Sequence, residues 1–337
     1  MPRVSVVVPT YNRCDCLMEM LRSALGQTFR DLELIVVDDG STDGSAIEVL
    51  RQLGPDPERA ESLWRQHVAS ATGTIGFGFW THEIPLQYLY QPNRGIGAAR
   101  NRGLQVAHGD LVAFLEPDHR WEARHLDRQV AFFDGNEDAW IAHGRLVVDR
   151  NGRAAAGKKR PTRSPLPISF EEIVGGNELR TSAIVAKKRC LDVHGGFDEN
   201  LPACEDYDLW IRIAAHVPIY RVPQAVVRVK APPSVPGWSL DRYRVYALEK
   251  AYQSGHLNAE QRHRVADELV ARCDVLVEGY RKRNNTERAN FYERKRKKFE
   301  SEVLKLDMSD AAARTDPLHA VAAELAEEAS ASPAPRL

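Results

Sequence analysis

Three short and almost wholly apolar runs are the feature that most constrains how this chain can fold. They are VSVVV at 4–8, LELIVV at 32–37 and LVAFL at 111–115. Runs of this length without polar alternation are typical of strands that are buried on both faces of a parallel sheet. Apolar residues at helical spacing lie between the first two runs, at Leu17, Met20, Leu21, Ala24 and Leu25. The first 50 residues therefore predict the opening of a doubly wound α/β domain.

Carboxylates come directly after two of these runs. Asp38 and Asp39 come after the second run, and Glu116 and Asp118 after the third. Open α/β sheets bind ligands outside the carboxyl ends of their strands. Acids held close together there repel unless a proton or a cation lies between them. Mg²⁺ and Mn²⁺ prefer such oxygen ligands, usually together with phosphate oxygens, so the pattern predicts a metal and phosphate site.

A loop rich in glycine and arginine precedes a helix that we predict at about 97–107. Gly95 and Gly97 allow the backbone to approach a ligand closely. The amino end of the following helix favours phosphate. Asn93, Arg94 and Arg100 are therefore candidate contacts of a phosphate or a sugar, together with Gly95.

Composition excludes several other classes of protein. The chain has 337 residues with 46 basic and 47 acidic side chains, a net charge of -1, which argues against a nucleic-acid binder. Its five cysteines are an odd number without metal-finger spacing, as expected of reduced cytosolic thiols. No apolar run approaches the roughly 18 residues of a membrane span, and no signal-peptide pattern opens the chain. We expect a cytoplasmic protein, peripheral to the membrane at most.

The remaining pattern predicts further elements and two boundaries. We expect a hairpin or flap at 72–80, strands at 86–90, 140–148, 181–186 and 217–230, helices at 121–133 and 205–215, and a mobile loop at 151–167. Residues 1–235 then form the catalytic domain, 236–308 a helical appendage and 309–337 a helical or frayed tail. A helical stripe in the appendage buries against the body or against a second copy, which would make a homo-oligomer. Its residues are Val265, Leu269, Cys273, Leu276 and Tyr280.

Four motifs in this order resemble the family 2 glycosyltransferases with the GT-A fold, of the bacterial surface-polysaccharide type. They are VSVVVPTYNR, LELIVVDDGSTDGS, NRGIGAARNRGL with GDLVAFLEPDHRW, and GGFDENL with CEDYDLWIRI. The resemblance covers about residues 3–230. It implies a mostly parallel Rossmann-like sheet with helices on both faces. It also implies inverting transfer of a sugar from a nucleoside diphosphate, expected to be UDP, to a hydroxyl of a saccharide or lipid-linked acceptor.

The resemblance also implies roles for individual residues. The loop Pro9, Thr10, Tyr11 and Arg13 would line the nucleotide pocket, with Tyr11 stacking on the base and Arg13 near phosphate. Asp39 would accept the imide N–H of uracil. Asp118 would hold the metal, and Asp206 would be the catalytic base. Glu205 would hold an acceptor hydroxyl, and Asp208 is expected to form an ordinary helical ion pair with Arg212.

The sequence departs from the family where its D-x-D motif is expected. Glu116-Pro117-Asp118-His119 stands where D-S-D-D is usual. Glu116 would reach the donor ribose or a metal-bound water, with Pro117 beside it. His119 is either a third, softer metal ligand that favours Mn²⁺ over Mg²⁺, or a residue at the beginning of a helix that does not bind the metal. The departure leaves open a second class of function, a degenerate nucleotide-sugar-binding scaffold.

A basic run at 294–298, RKRKK, also has two interpretations. It is either a contact for an anionic membrane surface or polyanionic acceptor, or an ordinary solvated helix face.

Overall fold

The structure of the chain, a computed structural model, describes residues 1–69, 75–81, 83–116, 118–150, 153–155, 164–176, 179–230 and 240–315. Pro117, most of the predicted loop at 151–167 and the end of the predicted tail lie outside the described residues. The chain divides into two compact units, Met1–Ala247 and Leu248–Leu337.

The first unit alternates strands and helices along the chain. Its strands are β1 (Val4–Thr10), β2 (Leu32–Asp38), β3 (Ile75–Thr81), β4 (Ile84–Tyr90), β5 (Leu111–Phe114), β6 (His119–Trp121), β7 (Ile141–Arg150), β8 (Arg153–Ala155), β9 (Leu166–Ile168), β10 (Ile184–Lys187) and β11 (Ile219–Lys230). Its helices are α1 (Cys14–Leu25), α2 (Ser45–Leu53), α3 (Ala60–Ala69), α4 (Ile96–Val106), α5 (His125–Asp134), α6 (Phe170–Gly176), α7 (Lys188–Val193) and α8 (Glu205–Ala214).

A single sheet organises this unit, with strand order β3-β4-β2-β1-β5-β10-β7-β11-β6. β1 is central and pairs in parallel with β2 and β5, and β2 pairs in parallel with β4. Every residue of β1, β2 and β5 is buried, as their continuous apolar runs predicted. β10 runs antiparallel to β5 and β7, so the second half of the sheet is mixed. The predicted doubly wound α/β architecture is confirmed.

Three local predictions are corrected by the structure. The helix expected at 121–133 begins later, at His125, because His119–Trp121 pairs antiparallel with β11. The strand expected at 181–186 begins as a 3₁₀ turn, Thr181–Ala183. The end of the loop expected at 151–167 is the strand β9, which pairs with β11. The described part of the segment predicted as a hairpin or flap is a single strand, β3, which pairs antiparallel with β4.

Close packing brings α4 against the central strand. A Cβ atom built on Gly103 would lie only 2.3 Å from Cγ1 of Val7 in β1. Only glycine permits this approach, because larger side chains would have to displace a close-packed core. The beginning of α4, and the loop before it, are thereby fixed at the carboxyl edge of β1.

Helices make up the described part of the chain after residue 240. They are α9 (Asp241–Gln253), α10 (Ala259–Arg281) and α11 (Thr286–Thr315). The predicted stripe on α10 is buried, and Tyr280 stacks on Tyr292 of α11 with ring centroids 5.7 Å apart. The apolar stripe is therefore buried within one copy of the chain, and its burial does not require a second copy. Among the described residues, no helix has the length and apolarity needed to cross a membrane.

Candidate active site

A cleft of about 370 Å³ opens at the carboxyl ends of β1, β2 and β5. All its lining residues except Pro202 come from three of the motifs identified in the sequence. They are Pro9, Thr10, Tyr11, Arg13, Asp39, Asn93, Gly95, Ile96, Ala99, Glu116, Asp118 and Pro202. The fold thus brings most of the predicted donor-binding residues into one place, although they are up to about 100 positions apart in the chain.

Two side chains, one at the end of β1 and one in the loop after it, are available to a ligand. The ring of Tyr11 is 50% exposed and lines the cleft, which leaves its face available for stacking. Thr10 also lines the cleft, and its buried hydroxyl has no hydrogen-bond partner among the described residues. Because buried polar groups are normally satisfied, this hydroxyl is a candidate for a ligand contact.

Asp39 fastens the loop before α4 to the end of β2. Its carboxylate accepts hydrogen bonds from the backbone N–H groups of Arg94 and Gly95, at 2.9 and 2.8 Å, and from the side chain of Gln91 at 2.7 Å. A carboxylate has about four lone-pair sites, so one remains for a base. Asp39 therefore shapes the cleft in addition to lining it.

Asp38, the acid next to Asp39, is held by hydrogen bonds within the protein. The hydroxyl of Tyr88 donates to its carboxylate at 2.5 Å, and the backbone N–H of Ser41 donates at 2.7 Å. Burial raises the pKa of Asp38. These bonds hold the turn that comes after β2.

Arg100 lies between two glutamates and does not line the cleft. Its guanidinium donates to Glu116 on one side and to Glu205 on the other, and its side chain is only 2% exposed. Burial alone would raise the pKa of Glu116, but the charge of Arg100 holds it below its usual value. The sequence pointed to a phosphate or sugar contact for Arg100, whereas the structure places it as a bridge between the cleft and α8.

Arg94 also differs from a simple phosphate contact. Its side chain is exposed and pairs with Glu199 at 2.8 Å. Its backbone, through the bond to Asp39, is what shapes the cleft.

Asp118 and His119 have different positions relative to the cleft. Asp118 lines it with a positive φ of 66°, a strained conformation of the kind that is often found at functional sites. His119 is not among the lining residues, and its Nδ1 lies 2.6 Å from the hydroxyl of Ser182. Burial lowers the pKa of His119 and so favours its neutral form. Among the described residues, no three acidic, histidine or cysteine side chains are grouped to hold a metal.

Asp206 is in the first turn of α8, directly after Glu205. The backbone N–H of Tyr207 donates to its carboxylate at 2.7 Å, and the hydroxyl of Thr181 donates at 3.4 Å. Burial, and next the negative charge of Glu205, raise the pKa of Asp206 to about 6. The residue is half-buried, and a carboxylate with this pKa can take up a proton near neutral pH. Further along the helix Asp208 pairs with Arg212 at 2.8 Å, as predicted.

The turn Thr181–Ala183 is the part of the site that the sequence analysis missed. Ser182 accepts a hydrogen bond from the backbone N–H of Glu116 at 3.0 Å, and Thr181 contacts Asp206. The turn therefore joins the acid of the cleft to the acid of α8. Two adjacent hydroxyl residues before an apolar run were the only signal, and they resemble the beginning of a strand.

The fold and the strand-end acids are those of an α/β protein with a ligand site at the carboxyl edge of its sheet. Residues 5–67 and 79–183 match the family described as Glycosyl transferase family 2. These residues include all the lining residues of the cleft except Pro202. The chain belongs to glycosyltransferase family 2.

Similar proteins agree with this assignment. An uncharacterised glycosyltransferase of Rickettsia conorii is 29% identical over 222 residues, which are 64% of this chain and 32% of that protein. An uncharacterised glycosyltransferase of Haemophilus influenzae is 32% identical over 57% of this chain and 64% of its own length. The Bacillus subtilis protein TuaG, named as a putative teichuronic acid biosynthesis glycosyltransferase, is 31% identical over 45% of this chain and 50% of its own length. The matched region spans about a third of the length of the first curated relatives.

The fold also has a solved counterpart. S. aureus TarS 1–349, crystallised in complex with UDP-GlcNAc, superposes with a TM-score of 0.54 and 15% identity over 88% of this chain and 92% of that one. The predicted GT-A fold is confirmed.

Proposed function

We propose that this protein is an inverting glycosyltransferase that moves a sugar from a nucleoside diphosphate to an acceptor hydroxyl. The observation that carries the proposal is the position of Asp206. The carboxylate of this half-buried residue has a pKa raised to about 6, next to Glu205, which Arg100 connects to Glu116 of the cleft. A general base is most effective when its pKa is near the working pH.

The reaction follows from this placement. Asp206 accepts the proton of the acceptor hydroxyl as that oxygen forms a bond to the anomeric carbon of the donor sugar. The bond between the anomeric carbon and the diphosphate oxygen breaks on the opposite face, and the nucleoside diphosphate leaves with the electron pair. Attack from the opposite face inverts the anomeric configuration, which NMR of the product would reveal.

UDP is the first nucleotide to test. The exposed ring of Tyr11 offers a stacking surface, and Asp39 retains an acceptor site for the imide N–H of uracil. The structurally similar TarS was crystallised with UDP-GlcNAc.

A divalent cation, Mn²⁺ or Mg²⁺, fits the cleft only if the donor contributes ligands. The carboxylate oxygens of Asp118 suit either ion. Glu116 also lines the cleft, but it already forms an ion pair with Arg100. When bound, the ion would neutralise charge on the leaving diphosphate. His119 is bonded to Ser182, so we assign metal binding to Asp118 and not to His119.

The acceptor is proposed to be a saccharide of a bacterial surface polysaccharide, because TuaG is named for teichuronic acid biosynthesis. A lipid-linked acceptor would suit the basic run on α11. Lys295 and Arg296 are paired with acids, whereas Arg294, Lys297 and Lys298 are exposed on the helix. Phe291, Leu304 and Met308 are exposed on the same helix. Co-sedimentation with phosphatidylglycerol vesicles, compared with phosphatidylcholine vesicles, tests a peripheral contact.

Replacing the proposed base tests the function. Asp206→Asn should abolish transfer and donor hydrolysis in a panel of nucleotide sugars while calorimetry still detects UDP binding. Asp192→Asn, at an exposed ion pair in α7, is the matched control and should remain active. Turnover by Asp206→Asn would refute the mechanism. A wild-type chain that binds UDP but never turns over a donor would instead be the nucleotide-sugar-binding scaffold.

A further inference from the structure

Arg180, which belongs to none of the sequence motifs, is next in the chain to the residue that contacts the proposed base. It directly precedes the turn whose Thr181 contacts Asp206 and whose Ser182 contacts Glu116. Its backbone N–H donates to Nε2 of the buried His143 at 3.1 Å. The backbone of Arg180 is therefore fixed on both sides, next to the two acids of the site.

Arg180 is exposed, and no carboxylate of the described residues pairs with its guanidinium. Within the described part of the chain it makes no hydrogen bond or ion pair, whereas Arg94, Arg100 and Arg212 are each paired with an acid. After the larger influence of burial, its charge also contributes to the pKa shifts of Glu116 and His119. In the described structure this cation therefore lies near the acids of the site without pairing with any of them.

Two further arginines surround the same histidine. Arg221 of β11 is aligned with His143 in the parallel register of β7 and β11. Arg145 is two residues after His143 on β7, hence on the same face of the sheet, and its Nε is buried without a hydrogen-bond partner in the described structure. Among the described residues, the nearby acids Glu116 and Glu205 are already paired with Arg100, so neither of them is available to Arg180.

A guanidinium is a planar fork of N–H donors, and its geometry matches that of a phosphate or a carboxylate group of a ligand. The donor diphosphate is expected in the cleft, near Asp118 and the amino end of α4. Arg180 does not line that cleft and is instead next to the residue that contacts Asp206. We propose that Arg180, with Arg145 and Arg221 beside it, forms a subsite for a phosphate or carboxylate group of the acceptor. This inference rests on the proposed function, and it makes the acceptor an anionic saccharide or a phosphate-linked chain.

Ligand titrations on the full chain test the subsite. With UDP at saturation, glucuronic acid and glucose 6-phosphate are titrated against neutral glucose, followed by ligand-observed NMR. The wild type should bind the two anions at least about tenfold more tightly than glucose, as expected of a charge-assisted hydrogen bond. Arg180→Gln should lose this preference, and its affinity for UDP should stay within about twofold of the wild type. Arg51→Gln, at an exposed ion pair on α2, is the matched control and should keep the preference.

The outcomes separate the subsite from the proposed function. Equal affinity of the wild type for glucose and the anions would overturn the subsite. So would an Arg180→Gln variant that loses UDP and keeps the anions, because the guanidinium would then serve the donor. Failure of the wild type to bind UDP would overturn the proposed function alone. The anion titration without nucleotide would still decide whether Arg180 binds an anion.

Discussion

Arg100 and Glu205 form an ion pair in which the two side chains are 2% and 6% exposed. The same guanidinium also binds Glu116, so one cation holds the end of β5 and the beginning of α8 together. Removing one partner of a buried pair leaves the other charges uncompensated in a place that water does not reach. Arg100 therefore connects the cleft of the donor to the helix of the proposed base.

Replacing Arg100 should destabilise the protein strongly. We expect Arg100→Gln to lower the free energy of unfolding by about 3–5 kcal/mol, because Glu205 would remain buried and Glu116 half-buried without a cation. Urea unfolding followed by circular dichroism measures this. The exposed pair of Arg51 and Glu48 provides the control, and Arg51→Gln should cost less than about 1 kcal/mol. Similar losses for both variants would contradict a special role for Arg100.

The raised pKa of Asp206 predicts opposite effects on activity and stability. The folded pKa of about 6 is above the value of about 3.9 expected in the unfolded chain. The folded protein thus binds this proton more tightly, and the free energy of unfolding falls as pH rises from about 4 to 6. Asp206→Asn removes that cost and should stabilise the protein at pH 8 by about 1–3 kcal/mol. Thermal unfolding at pH 8 measures the gain, and a lowered melting temperature would contradict it.

Activity should depend on the same ionisation. A base with a pKa of about 6 predicts that turnover rises through about pH 6. The positive charge of Arg100 lowers the pKa of Asp206, after the larger opposing effects of burial and Glu205. In Arg100→Gln the rise should therefore move to higher pH, provided that the variant folds. A pH profile of donor hydrolysis that is identical in both proteins would argue against Asp206 as the titrating group.

Two buried histidines predict sensitivity to acid. Burial lowers the pKa values of His125 and His143 to about 3, from the ordinary 6.5. Their stabilising contribution is complete above about pH 6.5 and is lost as pH falls from there towards 3, because the unfolded chain takes up the protons first. His125 stacks on Trp121 at 4.8 Å, so His125→Phe preserves the shape. Between pH 7 and pH 5, the free energy of unfolding of this variant should fall by about 1–3 kcal/mol less than that of the wild type. Equal acid sensitivity in urea unfolding would refute this account.

The backbone of Asp118 is strained, so replacing this residue should affect the stability of the fold and the binding of the donor in different directions. Asp118→Gly should stabilise the fold by about 1 kcal/mol, because glycine accepts a φ of 66° readily. If Asp118 holds the metal, the variant should also lose at least about tenfold in UDP affinity with Mn²⁺ present, but little in EDTA. Asn284→Gly, at a φ of 55° after α10, is the control for strain and should leave UDP binding unchanged. Unaltered Mn²⁺-dependent binding in Asp118→Gly would remove the metal assignment.

The sequence alone determined the central strands and the acids at their carboxyl ends. The runs that became β1, β2 and β5 are apolar on both faces, which only the middle of a sheet satisfies. Since parallel strands place their carboxyl ends at one edge, Asp39 and Asp118 had to approach the same cleft. The motifs themselves sufficed to predict the family.

Only the tertiary structure decided which of these charges are free. Spacing in the chain cannot show that Arg100 is enclosed by Glu116 and Glu205, because those glutamates come from elements 89 positions apart that pack through long-range contacts. Nor can it show that His119 bonds to Ser182 while Arg180 remains without an acid in the described part of the chain. Pairing of charges depends on distance and burial in three dimensions, whereas strand and helix patterns depend on neighbours along the chain.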